Sequence, residues 1–321
     1  MSKAPHWLTL VAVLACPLPA LAQNYPEKNI RLVVAYATGP SYTLALLLAE
    51  KLRESLGQSA VPDFRAGAGG NIASELVAKT PPDGYTLLLT SVTIAISPSL
   101  FPKLGYDTFR DFAPITLLTT MPNVLVVHPS VPAKSLAELV KLAKAHPGKL
   151  NFGSGGVGTS SQLGSELFRT LNKINIVHVP YKGATIALSA MLGGEVDMVT
   201  STVPATIPLV NSGRVRALAV LAPERAATLP QVPTSAEAGM PDVVVITWYG
   251  LLAPAGVKPA IIERLNAEVA KAMNTPETKN KLAQIGQDVA TSTPAEFGKF
   301  VRAEYEKWGR VIKEANIHVT Q

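Results

Sequence analysis

Cysteine is almost absent from this 321-residue chain: the single one, Cys16, lies near the amino terminus. Disulfides, thiol nucleophiles and cysteine metal sites are thereby excluded from everything that follows it. Aromatic residues make up 6% and charged residues 16%. No basic run interleaved with aromatics occurs, so the net charge of +6, from 29 basic and 23 acidic residues, carries no nucleic-acid signature. Beyond the amino-terminal segment the histidines are His128, His146, His178 and His318. They show no H-E-x-x-H or paired spacing, so neither a metal nor another cofactor is expected. His178, in an apolar strand, reads as a satisfied core residue. A G-x-S-x-G nucleophile elbow is also missing.

What is present is apolar material, 47% of the residues, enough for a large core and two domains. The chain opens with Lys3, then an apolar run over 7–15 too short to span a bilayer, then Ala20-Leu-Ala22. That order reads as a secretory signal peptide over 1–22, cut after Ala22. Val13-Leu-Ala-Cys16 faintly resembles a lipoprotein box and makes lipidation at Cys16 the minor alternative. No later stretch is long and apolar enough for a membrane span.

The chain is organised around Leu150-Asn-Phe-Gly-Ser-Gly-Gly-Val-Gly-Thr-Ser-Ser161. A short strand runs into a glycine turn, and Ser160 or Ser161 can cap a helix beginning at Gln162 with Leu163, Leu167, Phe168 and Leu171 on one face. Strand, small-residue turn and helix N-terminus together form an anion site, with free N–H groups and the positive end of the dipole. Gly153, Gly155 and Gly158 also match G-x-G-x-x-G, but a dinucleotide fold needs an acidic residue about 20 positions on. None lies between Glu166 and Glu195. A turn that binds a carboxylate survives that test.

Around it, strands predicted over 30–36, 59–65 and 85–90 alternate with helices over 43–56 and 72–79. Strands over 112–118 and 124–128 run through into a second half. There a helix over 136–145, the strand at 150, and strands over 174–180, 196–200 and 215–221 alternate with helices. An apolar strand over 243–252, containing Trp248 and Tyr249, is long enough to pass back, and helices over 260–273, 278–285 and 295–315 follow. Trp248 reads as packing between the halves. The pattern predicts an α/β protein with two Rossmann-like parallel-sheet lobes joined by two crossing strands. Ligands in such sheets bind beyond the carboxyl ends of the strands.

Several segments carry a family likeness. They include Ile30-Arg-Leu-Val-Val34, Ala66-Gly-Ala-Gly-Gly-Asn71, Pro82-Asp-Gly-Tyr-Thr-Leu87, Asp111-Phe-Ala-Pro-Ile115, Asn151-Phe-Gly-Ser154, His178-Val-Pro-Tyr-Lys-Gly183, Leu192-Gly-Gly-Glu-Val-Asp197 and Gly250-Leu-Leu-Ala-Pro-Ala-Gly256. Collinear over nearly the whole chain, they resemble the tripartite tricarboxylate transporter receptors, the Bug family of periplasmic binding proteins. The resemblance implies a two-lobed, monomeric periplasmic receptor, lobe 1 over 23–122 plus 250–321 and lobe 2 over 123–249. Such a receptor closes on a small carboxylate and presents it to membrane permease subunits.

It also implies the contacts. In the first lobe these are Tyr36, Ala37, Gly39, Ser41, Tyr42 and Thr43, with Ser91 and Thr93 beside them. In the second they are Ser154, Gly155, Thr159, Ser160, Tyr181, Lys182, Gly183, Thr200 and Ser201. The family pattern P-F-x-x-G-G-x-x-D is replaced here by Ala35-Tyr-Ala-Thr-Gly-Pro-Ser-Tyr42, with Tyr42 where the aspartate would fall. Loss of that carboxylate argues for a di-, tri- or aromatic carboxylate lacking an amine. Tyr42 either stacks on the ligand or fills space at the turn. Two rival functions use the same cleft: a carboxylate sensor for a signalling partner, and a periplasmic serine hydrolase acting through Ser154, Ser160 or Ser161.

Overall fold

The computed structural model describes residues 25–37 and 39–317. The expected leader over 1–22, its cut after Ala22, Cys16 and His318 lie outside the described residues, as does Thr38 within the first-lobe turn. Ten strands and ten α-helices are built from the rest. Among the described residues, no helix is long and apolar enough to cross a membrane.

The first half starts from β1 (Ile30–Val34), which pairs in parallel with β2 (Ala60–Phe64) and β3 (Thr86–Ser91). Both faces of these strands are covered, which is why they read as continuous apolar runs. Val33 and Leu88 face one cluster, Leu32, Val34, Leu87 and Leu89 the other. Helix α1 (Pro40–Leu56) follows β1, and α2 (Asn71–Ala78) follows β2 through a single 3₁₀ turn. Helix α3 (Thr93–Leu100) follows β3.

Strand β4 (Phe112–Val127) is 16 residues long and joins the two predicted strands into one. Its polar middle, Thr119 and Thr120, stays extended by pairing with β10 (Asp288–Val289), while the Thr119 hydroxyl donates to Gln287 Oε1. The second half comprises α4 (Leu136–Ala145), β5 (Asn151–Ser154), α5 (Ser160–Asn172), β6 (Val177–Pro180), α6 (Ala184–Leu192), β7 (Met198–Thr202), α7 (Val203–Asn211) and β8 (Arg216–Val220). Strand β5 pairs in parallel with both β6 and β7. Strand β9 (Ile246–Pro254) returns antiparallel between β3 and β4.

The sheet order is thus β2-β1-β3-β9-β4-β7-β5-β6. Two parallel triplets are joined by crossing strands β4 and β9, whose antiparallel pairing makes the sheet mixed. Helices α8 (Pro259–Met273), α9 (Pro276–Gln284) and α10 (Pro294–Glu314) complete the chain. Helix α10 starts at a capping box, Thr293 with Glu296, and buries Phe297, Val301, Trp308, Val311 and Ile312 at helical spacing. Phe297 lies so close over Gly250 of β9 that a Cβ there would stand 2.1 Å from its ring, so only glycine fits.

Candidate ligand-binding cleft

A cleft of about 860 Å³ opens where the two parallel triplets meet the crossing strands. Its floor is made by the crossing strands, whose alternate residues Met121, Asn123, Thr247 and Tyr249 line it, as a period of two requires. Its walls are helix beginnings together with the segment Ala283 to Gly286 at the carboxyl end of α9. Ser41 at the start of α1, Val92 and Thr93 at α3, Thr159 to Ser161 at α5, Gly183 to Thr185 at α6 and Thr202 with Ala205 at α7 all line it.

In four of these five helices, α1, α3, α6 and α7, the N-cap residue's own side chain makes no capping bond, although the Thr93 N–H of α3 reaches Ser91 Oγ at 3.5 Å. Helices α4, α9 and α10, which begin elsewhere, are capped by Ser135, Thr275 and Thr293. Helix α8 also starts without such a cap, away from the cleft. An uncapped first turn leaves orphan N–H groups at the positive end of the dipole. Among the described residues lining the cleft there is no aspartate or glutamate, and Lys182 is the one cation. The arrangement favours an anion and supplies nothing to neutralise an ammonium group.

Tyr36 organises the first-half wall. Its hydroxyl donates to the Gly69 carbonyl (3.1 Å) and meets the hydroxyls of Ser91 (2.9 Å) and Thr93. Burial raises its pKa, so it stays a neutral phenol. Burial also raises the pKa of Tyr249, whose hydroxyl bonds to Ser41.

The glycine turn of the second half works differently from the expectation. Its amides are already paired: the Gly155 N–H donates to Ser161 Oγ (2.8 Å), Gly156 N–H to Ser154 Oγ (3.1 Å) and Gly158 N–H to Gln162 Oε1 (2.8 Å). The turn is a rigid brace, and the donors left for an anion belong to the neighbouring helix starts. Because Gln162 Oε1 is taken by an N–H, its amide nitrogen faces His178 Nδ1 (3.5 Å) and donates to it. His178 Nε2 therefore carries the proton and donates to Ser154 Oγ (2.6 Å).

Among the described residues this is the one Ser–His contact at the glycine turn, and it is not a hydrolase dyad. Ser154 is fully buried, and behind His178 stands an amide, where a triad places a carboxylate. The imidazole stacks on Phe152 with centroids 4.8 Å apart, and burial depresses its pKa to about 4. A second proton would sit on Nδ1 against the Gln162 amide. Since the unfolded chain takes that proton near pH 6.5, the contribution of His178 is complete above pH 6.5 and is lost as pH falls toward 4. Wild type should therefore lose more stability than His178→Asn between pH 7 and pH 4.5, by roughly 1 kcal/mol once solvent screening of the partly exposed ring is allowed for, measured by urea unfolding. Parallel pH profiles would refute this role.

Of the residues expected at the site, Tyr36, Ser41, Ser91, Thr93, Gly155, Thr159, Ser160, Lys182, Gly183 and Ser201 line the cleft. Ala37, Gly39 and Thr43 are exposed beside it on the turn and first turn of α1. Tyr42 stacks on Phe64, centroids 5.0 Å apart, so its ring is occupied by a neighbour in the protein. Ser154 braces the glycine turn, the Tyr181 hydroxyl donates to Glu195 (3.3 Å), and buried Thr200 accepts from Ser165 (3.0 Å). Sequence reasoning missed Asn123, Thr247 and Tyr249 as lining residues. The period of two along the crossing strands was the available signal.

A family profile described as the tripartite tricarboxylate transporter family receptor matches residues 44–317. The chain belongs to this receptor family. Among related proteins, BugT of Bordetella pertussis is 35% identical, the alignment covering 95% of this chain and 94% of BugT. Rpa4515 of R. palustris, solved with adipate, superposes with a TM-score of 0.82 at 35% identity, covering 92% of this chain and 99% of that one. MatC of Rhodopseudomonas palustris, solved with bound malate, gives 0.78 at 33% identity, covering 90% and 100%. As a member of the tripartite tricarboxylate transporter receptors, this chain is a non-catalytic solute-binding protein of the periplasm. It works with the membrane subunits of such a transporter.

Proposed function

We propose that this receptor captures a small carboxylate lacking an amine in the interlobe cleft and hands it to its permease subunits. One observation carries the reading: uncapped helix starts from both halves converge on a cleft whose lining side chains, among the described residues, include no carboxylate. Each charge-assisted hydrogen bond from such an amide is shorter and stronger than a neutral one, and drying of the cleft strengthens it further. The adipate and malate held by Rpa4515 and MatC support the same ligand class. In this reading residues 23–122 with 250–321 move as one lobe and 123–249 as the other, hinged on β4 and β9. The ligand is held by Ser41, Ser91, Thr93, Thr159, Ser160, Gly183 and Ser201, with Lys182 at the entrance. The chain acts as a monomer, exported with its leader cut after Ala22.

A thermal-shift screen of mono-, di- and tricarboxylates, aromatic ones included, beside the amino acids tests this. At a hundred times Kd a ligand stabilises by about 2.7 kcal/mol, a shift of a few degrees. Carboxylates should produce it and amino acids should not. Shifts with amino acids alone would overturn the reading.

A further inference from the structure

The cleft is polar at one end and apolar at the other. At the polar end the Tyr36 hydroxyl meets Ser91 and Thr93 at the start of α3. Gly158 lies against α3, where a Cβ would stand 2.7 Å from Leu100, and Gly155 lies against the start of α6. The glycine turn therefore gathers α3, α5 and α6 into one group, with Lys182 just ahead of α6. Helices α3 and α6 keep an N–H on each residue of the first turn, Thr93-Ile-Ala95 and Ala184-Thr-Ile186.

The other end is built on α1, α7 and the segment 283–286. Gln287 Nε2 donates to the Pro40 carbonyl (3.0 Å), and Pro204 packs on Gly286, where a Cβ would stand 2.2 Å from its ring. Pro40 and Pro204 lie in the first turns of α1 and α7, so each of those helix starts lacks one N–H. Ala205 and Pro208 are exposed, Pro40, Pro204, Ile207 and Ile285 are half-buried, and all six line the cleft. The polar side chains beside them, Thr202, Thr228 and Gln284, are uncharged.

A second cavity of about 520 Å³ shares Thr228, Ala283 and Gly286 with this end. Its charged lining residues are Glu224, Asp288 and Arg225, and Arg225 Nε is already held by both oxygens of Glu237 (3.1 and 2.8 Å). A carboxylate at the apolar end would lose water and face like charge. A hydrocarbon there gains from leaving water.

We propose that this receptor selects carboxylates whose charge is gathered at one end and whose body is an apolar ring or branched chain, seated against Ala205, Ile207 and Ile285. This rests on the carboxylate reading of the cleft and adds the ligand's body to it.

Titration calorimetry of pairs differing by one phenyl group tests this: succinate against phenylsuccinate, and propionate against 3-phenylpropionate. Wild type should bind the phenyl member of at least one pair tenfold or more tightly than its parent, about 1.4 kcal/mol. A smaller ratio in both pairs overturns the assignment and leaves the carboxylate reading intact. Ile207→Ala removes apolar contact, and Ala205→Asn sets an amide on the same surface. At least one of these variants should cut the ratio threefold or more, and a smaller cut in both overturns the assignment as well. Ala205 is exposed, so Ala205→Asn decides should Ile207→Ala not fold. Failure of every carboxylate to bind would instead remove the reading beneath it.

Discussion

Gly155→Ala should lower ligand affinity about a hundredfold while leaving the protein folded. A Cβ at Gly155 would stand 2.8 Å from the Ala184 nitrogen and 3.2 Å from the Gly183 carbonyl carbon. Both are backbone atoms at the start of α6, so no side chain can swing aside to make room. The glycine turn must back away from α6, or α6 from the turn. Either movement misaligns the uncapped amides that face the cleft. Losing two charge-assisted hydrogen bonds of roughly 1.4 kcal/mol each gives the hundredfold. Titration calorimetry with the best carboxylate from the screen measures it. Unchanged affinity would mean that α6 is not part of the grip.

The second large effect concerns stability. Glu304 of α10 is buried, and its Oε2 accepts from two indoles, Trp248 Nε1 (3.1 Å) and Trp308 Nε1 (2.9 Å), both of whose rings are fully buried. Trp248 lies on crossing strand β9 and meets Phe297 and Phe300 edge-on. One carboxylate therefore ties the last helix to the strand that joins the halves. Glu304→Ala should destabilise by about 3–4 kcal/mol, because two buried N–H donors lose their acceptor at roughly 1–3 kcal/mol each and packing is lost besides. Glu304→Gln, which keeps an acceptor oxygen, should cost roughly half as much. Urea unfolding followed by tryptophan fluorescence reads both. A loss below 1 kcal/mol for Glu304→Ala would show that the indoles find other acceptors.

Elements with one clear local cause were legible from sequence. Helix α4 has the predicted bounds, 136–145, because Ser135 caps it and Leu136, Leu139 and Ala143 repeat toward the core. Strands β1 and β3 announced themselves by apolar continuity, which burial on both faces requires. Helix α3 was not read at all. Its residues Thr93 to Ser97 are all buried, so no polar face alternates with an apolar one, and Pro98 inside it argues against a helix. Strand β10, only two residues long, exists through its pairing with β4.

The site was legible in the same uneven way. Ten of the expected residues line the cleft because they sit at strand ends and helix starts, positions that the alternating pattern marks out. The availability of particular amides was not legible, since it depends on which side chains fold back. Ser161 and Gln162 consume the very N–H groups of the glycine turn that looked free. Tyr42 stood where the family pattern has an aspartate, yet its ring lies on Phe64. Asn123 and Thr247 escaped notice because a polar residue within a crossing strand looks like any strand interruption until its partner strand is in place.

The most direct measurement compares one dicarboxylate, the compound giving the largest thermal shift, with its uncharged diamide by titration calorimetry. The pair has nearly the same shape and differs in charge. If orphan amides at helix starts grip the ligand by its negative ends, the dicarboxylate binds at least a thousandfold more tightly, about 4.1 kcal/mol. Equal affinities would show that the cleft recognises shape rather than charge and would contradict the account.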